Sequence, residues 1–189
     1  MSGAQARAAG GGWRWWRVAP WIGAGALLLA PLIAMQFTDE VQWDGFDFAV
    51  MGVMLAVPLF IFELAVRTSD SLAYRAGVAL TLIGAFLMTW INLAVGIIGS
   101  EDNPANLMFF AILLLGLGGA FGGGFRAAGM ARALLMMAAA QILAGTLAVT
   151  AGWGAHGANW PQAIIVLSGF FACVWLGAAW LFRRAASAG

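Results

Sequence analysis

The feature that most limits this fold is where the arginines sit. The nine basic residues are all arginine, at positions 7, 14, 17, 67, 75, 126, 132, 183 and 184, and they fall in four clusters separated by long apolar stretches. The far ends of those stretches carry Asp39, Glu40, Asp44 and Asp47, then Glu101 and Asp102, then an uncharged loop containing His156. A hydrocarbon core about 30 Å thick takes about 20 apolar helical residues per crossing. If each stretch crosses once, every arginine lands on the same side. Short cytoplasmic loops are the ones enriched in Arg and Lys, so that side is expected to be the cytoplasm.

Composition agrees, because 63% hydrophobic and 9% charged residues lie far outside the range of a soluble domain. A length of 189 residues accommodates about six crossings and no separate soluble domain. The expectation is an all-α membrane protein of six transmembrane helices with both termini cytoplasmic. Its parts would be a short basic and aromatic tail at 1–17, one six-span membrane domain at 18–184 and a second tail at 185–189.

Trp13, Trp15, Trp16 and Trp21, interleaved with Arg14 and Arg17, read as an anchor at the inner headgroup level. The first span runs from Val18 to Phe37, with Pro20 in its first turn and Pro31 as an expected kink. It reads as a retained span and not a cleaved signal peptide, since no small-x-small site precedes the acidic turn. The others are expected at Phe46–Val66 with Pro58 inside, at Ala76–Gly99, from Asn103-Pro104 to Gly124, at Ala133–Trp153 and at Gln162–Phe182. Two hairpins, spans 2–3 and 4–5, resemble one another: Asp47 to Arg67 and Asn106 to Arg126 are both steps of 20 residues, and Tyr74-Arg75-Ala76 matches Ala131-Arg132-Ala133 in place. A duplication would explain this, and so would any pair of hairpins obeying the charge rule.

Glu63 stands out among candidate functional residues because ionisable groups inside a span are expensive and need a partner. Arg67, four residues on, could supply it, and the alternative is a proton-carrying or gating carboxylate facing the bundle interior. Asn92 and Gln141 are the first choices for a polar cavity among groups at membrane depth, although such groups more often bridge helices. The outer carboxylates Asp39, Glu40, Asp44, Asp47, Glu101 and Asp102 could converge on a divalent cation if the two loops touched. They are also what is left when arginine is confined to the other side, and no metal is expected. Asn103 and Pro104 fit the cap and first position of a helix, a better account of Asn-Pro-Ala than the paired tripeptides of water channels. Gly118, Gly119, Gly122 and Gly123 give the fourth span a smooth face for close packing, against another span or another protein.

Several chemistries lack their residues. One histidine cannot supply two axial ligands to an intramembrane haem, Ser168-Gly169 lacks the preceding Gly-x of an intramembrane serine protease, and no Walker loop, His-Glu-x-x-His or zinc cysteine pattern occurs. Cys173, alone, can form no internal disulfide. Enzyme is thus the least supported class, no cofactor is implied, and scattered arginines beside lipid headgroups argue against a nucleic-acid partner. The expected partners are the lipid bilayer and either other membrane subunits or a second copy.

The stretch Asn92-Leu-Ala-Val-Gly-Ile-Ile-Gly-Ser-Glu-Asp-Asn-Pro-Ala-Asn-Leu-Met108, with Ala30-Pro-Leu-Ile-Ala-Met-Gln-Phe37 before it, resembles small uncharacterised inner-membrane proteins of Gram-negative bacteria. The similarity covers the first five spans. It implies a bacterial inner-membrane location and no activity.

Overall fold

The computed structural model describes residues 12–157 and 159–188; Arg7 and the rest of the tail before Gly12 lie outside the described residues. Among the described residues six α-helices follow one another: α1 (Gly12–Ala34), α2 (Gly45–Thr68), α3 (Leu72–Ala94), α4 (Leu107–Gly122), α5 (Ala127–Thr150) and α6 (Gln162–Ser187). No strand occurs among the described residues. Five helical segments are long and apolar enough to cross a bilayer, α4 counting together with the 3-10 turn Pro104–Asn106, and α1 adds the apolar run Val18–Ala34. The chain is an all-α, multi-pass membrane protein.

Chain contacts divide it into two compact units, residues 1–64 and 65–189. In the first, Asp44 and Asp47 cap α2 reciprocally: Asp44 Oδ1 accepts from the N–H groups of Phe46 and Asp47 at 2.7 and 3.0 Å, and Asp47 Oδ2 accepts from Asp44 N–H at 2.9 Å. Carboxylates at a helix start satisfy otherwise orphaned donors and favour the positive end of its dipole.

The second unit is a four-helix bundle of α3 to α6. Helix α6 packs on α3 and α5, α5 packs on α4, and α3 meets α4 more sparsely. Its interior is lined by Met88 of α3, Phe109 of α4, Leu134 of α5, and Phe171, Trp175 and Phe182 of α6. Phe171 and Trp175 stack at 6.2 Å, and Tyr74 meets Phe182 edge-on at 5.1 Å. Small residues set the helix spacing. A Cβ on Gly84 would fall 2.7 Å from Val174 Cγ1 and 2.8 Å from Trp175 Cζ3, so α3 lies against α6 only where a side chain is missing.

Several expected boundaries are corrected. The third span stops as a helix at Ala94 and not Gly99, because Gly96 and Gly99 adopt φ of 70° and 75°, outside the right-handed helical region. The fourth opens with the 3-10 turn before α4 begins at Leu107. Arg126 to Arg132, between the expected fourth and fifth spans, is largely helical: Arg126 is the N-cap of α5 and the α4–α5 connection shrinks to about Gly123–Arg126. Helix α1 already begins at Gly12 and ends at Ala34, ahead of Phe37, and α6 continues past Phe182 through both terminal arginines to Ser187.

Candidate functional site

The loop joining α3 to α4 is built around one buried side chain. Asn106 Oδ1 accepts from the N–H groups of Ile97 and Ile98 at 3.1 and 2.9 Å, while its Nδ2 donates to Ser100 O at 2.7 Å and Ile98 O at 3.5 Å. This turns Ile97 and Ile98 into the protein, where both are buried. Gly99 then lies against Gly154 of the α5–α6 turn, a Cβ on Gly99 falling 3.2 Å from Gly154 Cα. The loop thus closes one end of the four-helix bundle.

Beneath that closure sits a polar layer. Gly77 faces Phe182 and Gly84 faces Trp175, which fixes α3 and α6 as antiparallel; continuing the pairing brings Asn92 level with Leu167 and Ser168. On the same face of α6 as Trp175, two turns away, Ser168 Oγ lies directly over Gly145 of α5, in the place a Cβ would take. Gln141 is one turn from Gly145 on the same face, about 6 Å along the axis. Asn92, Gln141 and Ser168 are 3%, 0% and 4% exposed. Asn92 Nδ2 donates to Met88 O at 2.7 Å. Asn92 Oδ1, both amide atoms of Gln141 and Ser168 Oγ have no hydrogen-bond partner among the described residues. An unsatisfied buried polar group costs about 1–3 kcal/mol, so three such side chains within about two helical turns of one another mark where this bundle departs from simple packing. Among the described residues the fully buried polar side chains are Asn92, Asn106, Gln141 and Ser168, all uncharged, so the chemistry here is hydrogen bonding without charge.

The other candidates are distributed as follows. Glu63 is half-buried and Arg67 exposed on α2, and each has an interaction partner. Asp39, Glu40, Asp44, Asp47, Glu101 and Asp102 are exposed, and among the described residues no group of three or more His, Cys, Asp or Glu is placed to hold a metal ion. Asn103 Oδ1 accepts from Ala105 N–H at 3.0 Å, with Pro104 opening the 3-10 turn. The glycine face of α4 splits in two. A Cβ on Gly119 would lie 2.6 Å from Ala133 Cβ and one on Gly123 2.8 Å from Gly129 Cα, both on α5, whereas Gly118 and Gly122 have nothing within 4 Å.

The arginine end is also specific. Arg75 donates to Ser69 O at 2.6 Å and Val66 O at 2.9 Å, occupying carbonyls at the end of α2, and pairs with exposed Asp70 at 3.2 Å. Tyr74 Oη donates to Phe125 O at 2.7 Å across the α3 and α4–α5 junction, where Phe125 has a φ of 56°. Arg184 lies over the Trp180 ring at 4.3 Å.

The sequence reading singled out Asn92 and Gln141 but missed Ser168 as their neighbour and Asn106 as the loop's anchor. The signal for Ser168 was available in Gly145, since a glycine mid-helix in a bundle marks a close approach. Comparison with protein-family models, with curated proteins and with solved structures finds no match.

Proposed function

We propose that the chain is a non-enzymatic protein of the bacterial inner membrane, with both termini in the cytoplasm, that works through helix packing as a homo-oligomer or an accessory subunit. The observation that carries this reading is the split glycine face of α4. Gly119 and Gly123 are used inside the chain, against Ala133 and Gly129, while Gly118 and Gly122 form a second small-residue seam where an added Cβ would meet no described residue of the four-helix bundle within 4 Å. Small residues four apart let helix backbones come together in lipid, where packing and not the hydrophobic effect drives association. Exposed Leu114 and Phe121 flank the seam with larger surfaces for a partner.

The orientation is supported by Arg75, Arg126, Arg132, Arg183 and Arg184 gathering at one end of the bundle, with Glu101, Asp102 and His156 in the connections at the other. Trp180 under Arg184 suits a headgroup interface. Native mass spectrometry from lipid nanodiscs tests the reading. Oligomers or a co-purifying membrane protein are expected, and Gly118→Leu with Gly122→Leu should abolish them while the chain stays folded; a wild-type monomer with no companion refutes it.

A second reading, a small transporter or channel, is favoured by Glu63, a carboxylate half-buried within an apolar helix. Proteoliposomes would then show a solute or ion flux that Glu63→Gln removes.

A further inference from the structure

We infer that the outward-facing groove between α5 and α6 binds an anionic glycerophospholipid, its phosphate at the arginine end and its acyl chains along the groove. The site stands apart from the glycine seam on α4 and does not depend on it. Charge is the first reason. Residues 103–189 contain Arg126, Arg132, Arg183 and Arg184 and no aspartate or glutamate. The carboxylates of residues 65–189 are Asp70, Glu101 and Asp102; Asp70 pairs with Arg75, and the other two lie in the α3–α4 connection at the opposite end of the bundle. Register then brings three of those arginines together. Ser168 of α6 lies over Gly145 of α5, so the antiparallel pair puts Arg183 level with Met130 and within about 3 Å of Arg132 along the axis, with Arg184 one residue further.

Two of the guanidinium groups are positioned by the protein itself. Arg184 lies over the exposed Trp180 ring, 4.3 Å from its centroid, and Arg132 Nε donates to Ala128 O at 3.3 Å, which turns that side chain toward the arginine end. A guanidinium stacked on a ring keeps its N–H donors in its own plane, where a phosphate can accept two at once. Inward of the arginines the groove is apolar. Leu135 and Ile142 on α5, and Gly169 and Leu176 on α6, are pairs seven residues apart and so share a face of their helix. Ile142 is one turn from Gly145 and Gly169 adjoins Ser168, so both rows flank the line where α5 meets α6, and Leu135, Ile142 and Leu176 are exposed. A Cβ on Gly169 would meet nothing within 4 Å, which leaves a recess for a methylene chain. From Trp180 to Gly169 is about 17 Å along α6, close to one leaflet of a hydrocarbon core about 30 Å thick. A phosphatidylcholine headgroup would bring its own cation among the arginines, so the fit is to a lipid of net negative charge. Arginines that served only to orient the chain would need neither a ring beneath Arg184 nor a shared level on two helices.

Native mass spectrometry of the full chain in detergent, titrated with palmitoyl-oleoyl phosphatidylglycerol or with phosphatidylcholine of the same chains, tests the site. The first phosphatidylglycerol should bind about tenfold more tightly than the first phosphatidylcholine, and Arg184→Gln should cut that preference at least about threefold. Trp180→Leu changes no charge and should also lower it, because the guanidinium loses its support. Arg126→Gln removes the same charge from the α4–α5 connection and should leave the preference unchanged. Equal binding of the two lipids to the wild-type chain overturns the proposal. Equal losses in Arg126→Gln and Arg184→Gln overturn it as well, because net charge alone would then attract the lipid. Displacement of bound phosphatidylglycerol by soluble glycerol phosphate would also count against it, since the groove would then contribute nothing.

Discussion

Replacing Asn106 by alanine should release the loop that closes the bundle, and the structure gives the size of the effect. The side chain is the acceptor for two buried backbone N–H groups, those of Ile97 and Ile98, and donates to Ser100 O. In Asn106→Ala both amides lose their acceptor in a place shielded from water. At about 1–3 kcal/mol for each buried donor left unmade, the loss is about 3 kcal/mol in total, allowing for partial relaxation. Hydrogen exchange read at Ile97 and Ile98 is the appropriate assay, because it reports local opening and not only global unfolding. A loss of about 3 kcal/mol corresponds to roughly 100-fold faster exchange at those two amides. Asn106→Asp separates the two halves of the interaction: the carboxylate still accepts from both amides but cannot donate to Ser100 O, so protection at Ile97 and Ile98 should fall much less than in the alanine variant. Wild-type exchange rates at Ile97 and Ile98 in Asn106→Ala would show that the apolar burial of the two isoleucines alone holds the loop, and the reasoning would fail.

Gly123→Val should destabilise the α4–α5 hairpin by more than about 2 kcal/mol, because its Cβ would stand 2.8 Å from the Gly129 backbone, which cannot move aside; Gly122→Ala, with nothing within 4 Å, should leave thermal unfolding in detergent unchanged. Tyr74→Phe removes the 2.7 Å bond to Phe125 O and keeps the ring against Phe182, so a loss of about 1 kcal/mol is expected in the same assay, and no loss would mean that lipid or solvent replaces the donor. Arg75→Met should cost about 1.5–3 kcal/mol through the Val66 and Ser69 carbonyls, whereas Asp70→Asn should change little, since its carboxylate is fully exposed. A pair of variants in which Asp70→Asn costs as much as Arg75→Met would reverse that assignment.

The division between what the sequence revealed and what it hid follows the range of the forces involved. Helix existence was legible because hydrocarbon thickness acts on about 20 residues at once, and no local preference outweighs that sum. Ends were less legible, since a few residues of loop chemistry decide them. Val95 to Gly99 is apolar enough to continue α3, yet Gly96 and Gly99 leave the right-handed helical region and Asn106, eight and nine positions away, accepts from the Ile98 and Ile97 N–H groups. At the arginine end the helical period overrode the charge pattern: Ala127 to Arg132 could join α5 because Gly123 and Gly129 let the two helices meet without a longer connection. Composition along α4 revealed a glycine-rich face but could not divide it, because Gly118 and Gly119 are identical in type and differ only in the side of the helix they occupy. The polar layer shows the same limit more sharply. Asn92 and Gln141 attract notice as amides in apolar helices, yet Ser168 joins them only through the antiparallel register of α6 against α3 and α5, a relation between residues tens of positions apart. In a membrane bundle, then, single positions announce that a polar group is present at depth, and helix register decides whether such groups meet.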